Sequence, residues 1–133
     1  MIKISPPFLL SVLLIICGCE SDSCNNFQEG KFKFASVYRF NDSTYYADSN
    51  DAYVTRENGY QVEHYPSLNT EYKFLIKWKS SSEYYLIKDS GESSSFNNGD
   101  TISVEITDCD YNSYSYTSTS KHGVTEGQLI KIK

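Results

Sequence analysis

The chain offers few groups able to carry chemistry, and their spacing decides what each can do. His64 and His122 are its only histidines. His64 follows Glu63 and lies near Glu57, a grouping of the right types for general acid–base work. On an extended strand, however, neighbouring residues point to opposite faces, so Glu63 and His64 cannot cooperate directly. No Gly-x-Ser-x-Gly elbow and no Ser-His-Asp order occurs. Asp48, Asn50 and Asp51 match one edge of a calcium loop, but no downstream Gly and Glu complete it. No histidine or second cysteine pair stands near Cys24 or Cys109 to finish a zinc site. The expectation is a protein without catalytic residues, metal or cofactor.

Cysteine chemistry at the N-terminus is more informative. Lys3 precedes an apolar run from Phe8 to Cys17, which ends in Gly18 and Cys19. A charged start, a short apolar core and a small residue form the secretory pattern. The run is shorter than the roughly 20 residues that span hydrocarbon, and Pro6 and Pro7 break its start. Ile16-Cys17-Gly18-Cys19 closely resembles the lipobox of bacterial lipoproteins. That resemblance implies cleavage after Gly18 and a diacylglycerol on the Cys19 thiol. Gly18 fits the small site that cleavage requires, whereas Ile16 before Cys17 does not. Several acyl chains anchor stably where one binds only marginally. Glu20, which is not the inner-membrane retention aspartate of well-studied sorting systems, implies the outer membrane.

An exported chain enters a disulfide-permissive compartment, so Cys24 and Cys109 are candidates for a bridge. The alternative is two free thiols. Removing residues 1–18 from a chain of 133 leaves 115, enough for one domain with a modest core. The expected organisation is a signal over 1–18, a lipidated leader over 19–29 and one domain over 30–133. The whole chain carries a net charge of −5, and losing Lys3 with the signal makes it −6. An acidic domain lacks the basic footprint of a nucleic-acid binder. It would be repelled by anionic lipid, so attachment must come from the anchor.

The elements that must position any site read as strands. Phe32, Phe34, Tyr38 and Phe40 alternate with Lys31, Lys33 and Arg39, and Tyr72, Phe74, Ile76 and Trp78 alternate with Glu71, Lys73, Lys77 and Lys79. Ile102, Val104 and Ile106 repeat the pattern. At the end, Gln128, Ile130 and Ile132 alternate with Leu129, Lys131 and Lys133. Shorter candidates are 44–47, 52–56, 60–65, 83–88 and 111–118. No useful window shows helical spacing. Asn58-Gly59 suits a two-residue type I′ hairpin. Short polar turns imply antiparallel neighbours, hence an all-β meander of about eight strands. Such a meander closes as a small up-and-down barrel or flattens into a sandwich. The longest turn, 89–100, is rich in Ser and Gly.

Residues 24–133 resemble a group of small exported lipoproteins of Gram-negative bacteria. The resemblance rests on Phe27–Phe32 after a cysteine, Val62-Glu63, and Phe74–Trp78 followed by Tyr84–Ile87, with a lysine-flanked apolar last strand. The opening Phe27-x-x-Gly30-x-Phe32 is similar to the first strand of lipocalin-like barrels and implies that shape. Phe32 stands at that family's Trp position. No short helix is evident before Gly30, and the last strand offers lysines where the family has an arginine.

The expected function follows from this shape. Phe32, Phe34, Tyr72, Phe74, Ile76 and Trp78 are candidate linings for a small apolar ligand, although a filled core is the commoner use of such residues in a barrel this small. If first and last strands close the barrel, Lys31 and Lys33 lie beside Lys131 and Lys133. A leader of at most roughly 27 Å from Cys19 to Phe27 would then hold these lysines near lipid headgroups. The expectation is a monomeric, non-catalytic, lipid-anchored module that binds a small apolar molecule or an envelope component. The rival is an acidic interaction module, such as an inhibitor of a basic cell-wall-degrading enzyme, using the 89–100 loop.

Overall fold

A computed structural model describes residues 22–35, 37–46, 51–91 and 96–133. The expected N-terminal signal, Cys19 and Glu20 lie outside the described residues, as do Asp48 and Asn50. Among the described residues no helix is long and apolar enough to cross a membrane.

Alternating side chains produce ten antiparallel strand segments: β1 (Gly30–Phe34), β2 (Val37–Phe40), β3 (Ser43–Tyr46), β4 (Tyr53–Glu57), β5 (Tyr60–Tyr65), β6 (Thr70–Trp78), β7 (Glu83–Gly91), β8 (Thr101–Cys109), β9 (Ser113–Ser120) and β10 (Gly123–Lys131). β1 and β2 both lie antiparallel to β10, and β4 and β3 lie antiparallel to β1 and β2. Each of these pairs therefore runs in one direction, as one long strand interrupted partway. Counted so, eight strands follow one another in chain order and β10 returns to β1. The fold is a closed up-and-down barrel. Closure leaves no long edge open to aggregation, which a meander sheet would otherwise expose.

The interruption has a register cause. Phe34 faces Leu129, and Arg39 faces Glu126. Five steps along the first strand thus match three along β10, so two residues bulge out near Ala35. The aromatic run from Phe32 to Phe40 is therefore not one unbroken strand. An insertion of two nevertheless keeps the alternation, so Phe40, opposite Thr125, stays on the face of Phe34, opposite Leu129. Tyr38 is nonetheless left partly exposed. The expected turn at Asn58-Gly59 is present, with φ of 54° and 78°. Asn41-Asp42 makes a second such turn, with φ of 46° and 65°. Both positions need positive φ in a type I′ hairpin, which Asn, Asp and Gly tolerate best.

Closure also decides the face of the last strand. Directly opposed residues in antiparallel strands share a face. Leu129 opposes Phe34 and Lys131 opposes Phe32, so Leu129 and Lys131 turn inward. Leu129 is buried while Ile132 is half exposed. Sequence alternation alone grouped the isoleucines together and could not choose which set enters the barrel.

One end of the barrel is filled. A 3₁₀ turn (Asp22–Asn26) precedes β1 where no short helix was evident in the sequence. At five residues it is too short to carry a periodic signal. It delivers Phe27, fully buried, into a cluster with Phe32, Tyr114, Val54 and Leu129. The Phe27 ring lies 4.9 Å from that of Tyr114 and 6.4 Å from that of Phe32. Cys24 and Cys109 are joined with disulfide geometry, their Cα atoms 5.7 Å apart. Lys131 donates to the Asn26 carbonyl at 2.8 Å. Residues 22–29, expected to be leader, therefore form the floor of the barrel.

Gly30 is required where the floor meets β1. Its φ is +127°, and a Cβ there would sit 2.6 Å from the Lys133 carbonyl oxygen. That carbonyl accepts the Lys31 N–H at 2.8 Å, one of the closing bonds. Gly30→Ala should cost about 1–3 kcal/mol through backbone strain. Urea unfolding followed by circular dichroism checks this.

Candidate functional site

The inward positions of the strands divide into a packed floor and a hollow upper half. Arg56, on β4, is the hub of the floor and is only 2% exposed. Its parity follows Ala52 and Val54, so the strand that buries them also buries the guanidinium. Arg56 donates to the Phe27 carbonyl at 2.8 Å, to Gln61 at 2.9 Å, and to the Tyr84 and Tyr114 hydroxyls at 3.0 and 2.5 Å. The two hydroxyls also bond each other at 2.8 Å. The Arg56 guanidinium carbon stands 4.7 Å from the centroid of Phe32 and 5.7 Å from that of Trp78. A planar cation with five donors suits this cage of ring faces and oxygens. An arginine therefore covers Phe32 after all, but it comes from β4 and not from the last strand.

Above the floor lies a void of about 280 Å³, walled by Phe34, Glu63, Tyr65, Tyr72, Phe74, Lys88, Phe96, Ile102 and Tyr116, with Ser118, Ser120 and Thr125 adding hydroxyls. A second void of about 300 Å³ shares Phe34, Tyr65, Tyr116 and Thr125 with it. This second space opens where the chain bulges at Ala35. Together they give the upper barrel a chamber with a lateral window.

Two charged side chains face the first void. Lys88 is 3% exposed. Its ammonium donates to the Ser90 carbonyl and lies 5.7 and 5.8 Å from the ring centroids of Tyr72 and Phe74. Glu63 accepts from the Tyr65 hydroxyl at 3.0 Å and from Gln61 at 3.2 Å. Burial pushes the Glu63 carboxyl above its ordinary range, and these two hydrogen bonds and the charges of Arg56 and Lys88 only partly oppose the shift. Burial likewise raises Tyr65 and Tyr116, so their hydroxyls stay protonated as donors.

A stability prediction follows from Glu63. A carboxyl whose folded pKa is raised contributes most below its unfolded pKa, near 4.5, and that contribution is lost as pH rises through the folded value. Glu63→Gln, which cannot ionise, should therefore be more stable than the wild type at neutral pH. The difference should vanish below about pH 4.5. Thermal melts of both proteins across this range check it.

Outside the barrel a second cluster joins three neighbouring strands. His64 opposes Tyr53 on β4 and Glu71 on β6. With Nδ1–H donating to Glu71 at 2.9 Å, Nε2 accepts from the Thr55 hydroxyl at 2.9 Å. Tyr53 stacks on the imidazole at 4.4 Å. This connectivity is that of a hydroxyl–base–acid relay. However, Thr55 sits mid-strand between Lys31 and Val62, where its backbone groups serve the ladders and form no oxyanion hole. The arrangement tethers strands. Asp51 accepts from the Ser67 backbone N–H at 3.0 Å and so holds the β5–β6 turn. Among the described residues no group of three or more His, Cys, Asp or Glu could hold a metal ion.

The residues singled out in the sequence are dispersed by the fold. Phe34, Tyr72 and Phe74 wall the void, whereas Phe32, Ile76 and Trp78 pack into the filled half. The backbones of Lys31 and Lys133 bond at the closure, but the four lysines do not form one patch. Lys131 opposes Phe32 and turns inward, whereas Lys33 opposes Ile130 and, with Lys31, takes the outer face. Of these, Lys131 is engaged with Asn26, and Lys31 lies over the Tyr53 ring at 4.3 Å. The expected 89–100 loop is shorter than its sequence suggests, because β7 continues through Gly91. Residues 92–95 lie outside the described residues, and at the loop's end Asp100 pairs with Lys121 at 2.6 Å. Arg56 and Lys88 are not among the residues singled out in the sequence, and Glu63 is weighed as a site there only as a neighbour of His64. For Arg56 and Lys88 the signal is parity, since each follows apolar residues on the inward face of its strand (Ala52 and Val54; Tyr84 and Leu86). Glu63 lies between Gln61 and Tyr65 on its face, and no apolar pattern marks it.

No family model matches the chain, and neither does any curated protein or solved structure.

Proposed function

We propose that the protein is a lipid-anchored, non-catalytic barrel of the outer membrane that holds a small molecule in its hollow upper half. The observation that carries this reading is the void above the Arg56 floor. A chamber of about 280 Å³ with a second of about 300 Å³ beside it reaches the low end of ligand sites, roughly 300–1,000 Å³. Its mixture of ring faces with a few placed polar groups is also typical of such sites.

The anchor rests on Cys19 and its lipobox-like surroundings. Cys24 stands five positions after Cys19, a tether of at most roughly 18 Å. Cys24 is fastened to the floor of the barrel. An acylated Cys19 would thus hold the floor toward the bilayer and turn the chamber away from it. Loading would come from the aqueous side and not by direct entry of a lipid from the membrane.

Denaturing extraction of the protein purified from envelopes, followed by mass spectrometry, tests the reading. The expected result is a small molecule in near-stoichiometric amount, absent from a Ser118→Trp variant whose indole fills the void. A folded wild type that yields nothing, and that fails to enhance N-phenyl-1-naphthylamine fluorescence, would refute ligand binding.

A further inference from the structure

We propose that the chamber takes a compact, uncharged ring compound bearing a carbonyl or similar neutral acceptor, which receives a hydrogen bond from the Tyr116 hydroxyl. This deepens the ligand-binding reading and rests on it. Tyr116 turns inward from β9 and walls both voids. Among the described residues its hydroxyl has no hydrogen-bond partner. The hydroxyls of Tyr65, Tyr84 and Tyr114 are all committed within the protein. No buried side-chain oxygen of the described residues is both unpaired and sealed off, so the Tyr116 oxygen opens on the void. An interior hydroxyl without a partner costs free energy that a ligand atom within hydrogen-bond reach would recover.

The fold sets this hydroxyl in place. Tyr116 opposes Gly127 on β10, and a Cβ at 127 would stand 2.6 Å from the Tyr116 oxygen. Any side chain there would displace the hydroxyl, so glycine lets the ring lie across β10 between the two voids. Phe34 and Tyr65 also border both voids. They stand nearly parallel, with an interplanar angle of 18° and centroids 6.4 Å apart. A flat ring can therefore rest on aromatic faces while one of its substituents reaches the hydroxyl. A void of about 280 Å³ admits such a ring with a short substituent.

The chemistry of the lining narrows the class further. A phenol is a stronger hydrogen-bond donor than an alcohol and a weaker acceptor, and burial raises Tyr116 so that it stays protonated. The matching ligand atom is therefore an acceptor. The Ser118 and Thr125 hydroxyls in the same wall donate or accept as needed and carry no charge. Glu63 already accepts from Gln61 and Tyr65, and Lys88 already donates to the Ser90 carbonyl. Neither calls for a charged ligand, and an ion brought into this space would lose its water without a dedicated counter-charge.

The test compares 2-acetylnaphthalene with 2-isopropenylnaphthalene, in which a methylene replaces the carbonyl oxygen. Each probe displaces N-phenyl-1-naphthylamine from the full chain in nanodiscs, with empty nanodiscs subtracted. The proteins are the wild type and Tyr116→Phe, which lacks only the oxygen, and comparing them with one probe cancels its partition into lipid. Tyr116→Phe should melt no lower than the wild type, because the atom removed bonds nothing in the protein. It should bind the ketone at least about threefold more weakly, the worth of a modest neutral hydrogen bond, and the alkene no more weakly. The isotope-labelled carbonyl of the bound ketone should absorb at lower wavenumber in the wild type than in the variant. An unchanged ketone affinity, an equal loss with both probes or an unshifted carbonyl band would overturn the assignment. So would a variant that melts lower, because the hydroxyl would then be bonded within the protein. If neither probe binds, the molecule extracted from envelopes decides. One bearing a neutral carbonyl or ether oxygen supports the class, whereas one without refutes it and leaves the binding reading standing. If both experiments are empty, the binding reading itself falls.

Discussion

Arg56→Ala should lower the unfolding free energy by about 3–5 kcal/mol, the range for removing one member of a buried charged network. The substitution strands the Phe27 carbonyl and leaves Gln61 without its strongest partner. It also deprives Tyr84 and Tyr114 of a shared donor and opens space beneath Phe32. A loss of about 1 kcal/mol lowers the melting temperature of a domain this size by roughly 4–8 °C. Arg56→Lys should recover little, because one ammonium cannot reach four oxygens set around a planar fork. Trp78 is the only tryptophan and lies 5.7 Å from the guanidinium, so its fluorescence reports the floor directly. A loss below about 1 kcal/mol in urea melts would mean that Arg56 is peripheral to stability.

Replacing both Cys24 and Cys109 with Ser should cost about 4 kcal/mol. The two residues are 85 apart in sequence, and the chain-entropy account gives roughly 4–5 kcal/mol for closing such a loop. The cost should fall on the floor first. Without the bridge the 3₁₀ turn is held by Phe27, the Arg56 bond and Lys131, and Phe27 becomes the side chain most easily released. Hydrogen exchange should therefore speed up around Phe27 and Phe32 before the upper strands. Adding reductant to the wild type should reproduce the double variant. Equal stability in oxidised and reduced protein would show that the bridge contributes nothing.

Much of the architecture was legible because it depends on period and turn chemistry, both local properties. The aromatic alternation in β6 and the Asn-Gly turn after β4 specify their own geometry wherever they occur. The face taken by β10 was not legible. Leu129 and Ile130 are equally apolar, and only the pairing of β10 with Phe32 and Phe34 chooses between them. The break near Ala35 is likewise a matter of register between distant strands. The 3₁₀ turn is held by tertiary contacts of Cys24 and Phe27 and not by propensity.

The candidate site was partly visible and partly inverted. Phe34, Tyr72 and Phe74 carry the apolar parity that marks an inward face, and they wall the chamber. Arg56 and Lys88 share that parity while violating the rule that charges stay outside, and Glu63 faces inward from the polar run of Gln61 and Tyr65. Such violations are where sequence patterning fails and chemistry concentrates. Reading Ala52, Val54, Arg56 as one face, and Tyr84, Leu86, Lys88 as another, would have placed both cations inside. What no pattern could supply was the division of the barrel into full and empty halves. That depends on how Phe27, Trp78 and Tyr114 fill one end around a single guanidinium.

The central claim is that a small molecule sits in the upper half, above Arg56. Intermolecular nuclear Overhauser effects between N-phenyl-1-naphthylamine and the isotope-labelled protein test this most directly. The ring protons should contact Phe74, Ile102 and Tyr116, with none to Ile76 or Phe32. Contacts confined to the outer face, such as Tyr53 and His64, or to no side chain at all, would contradict the account.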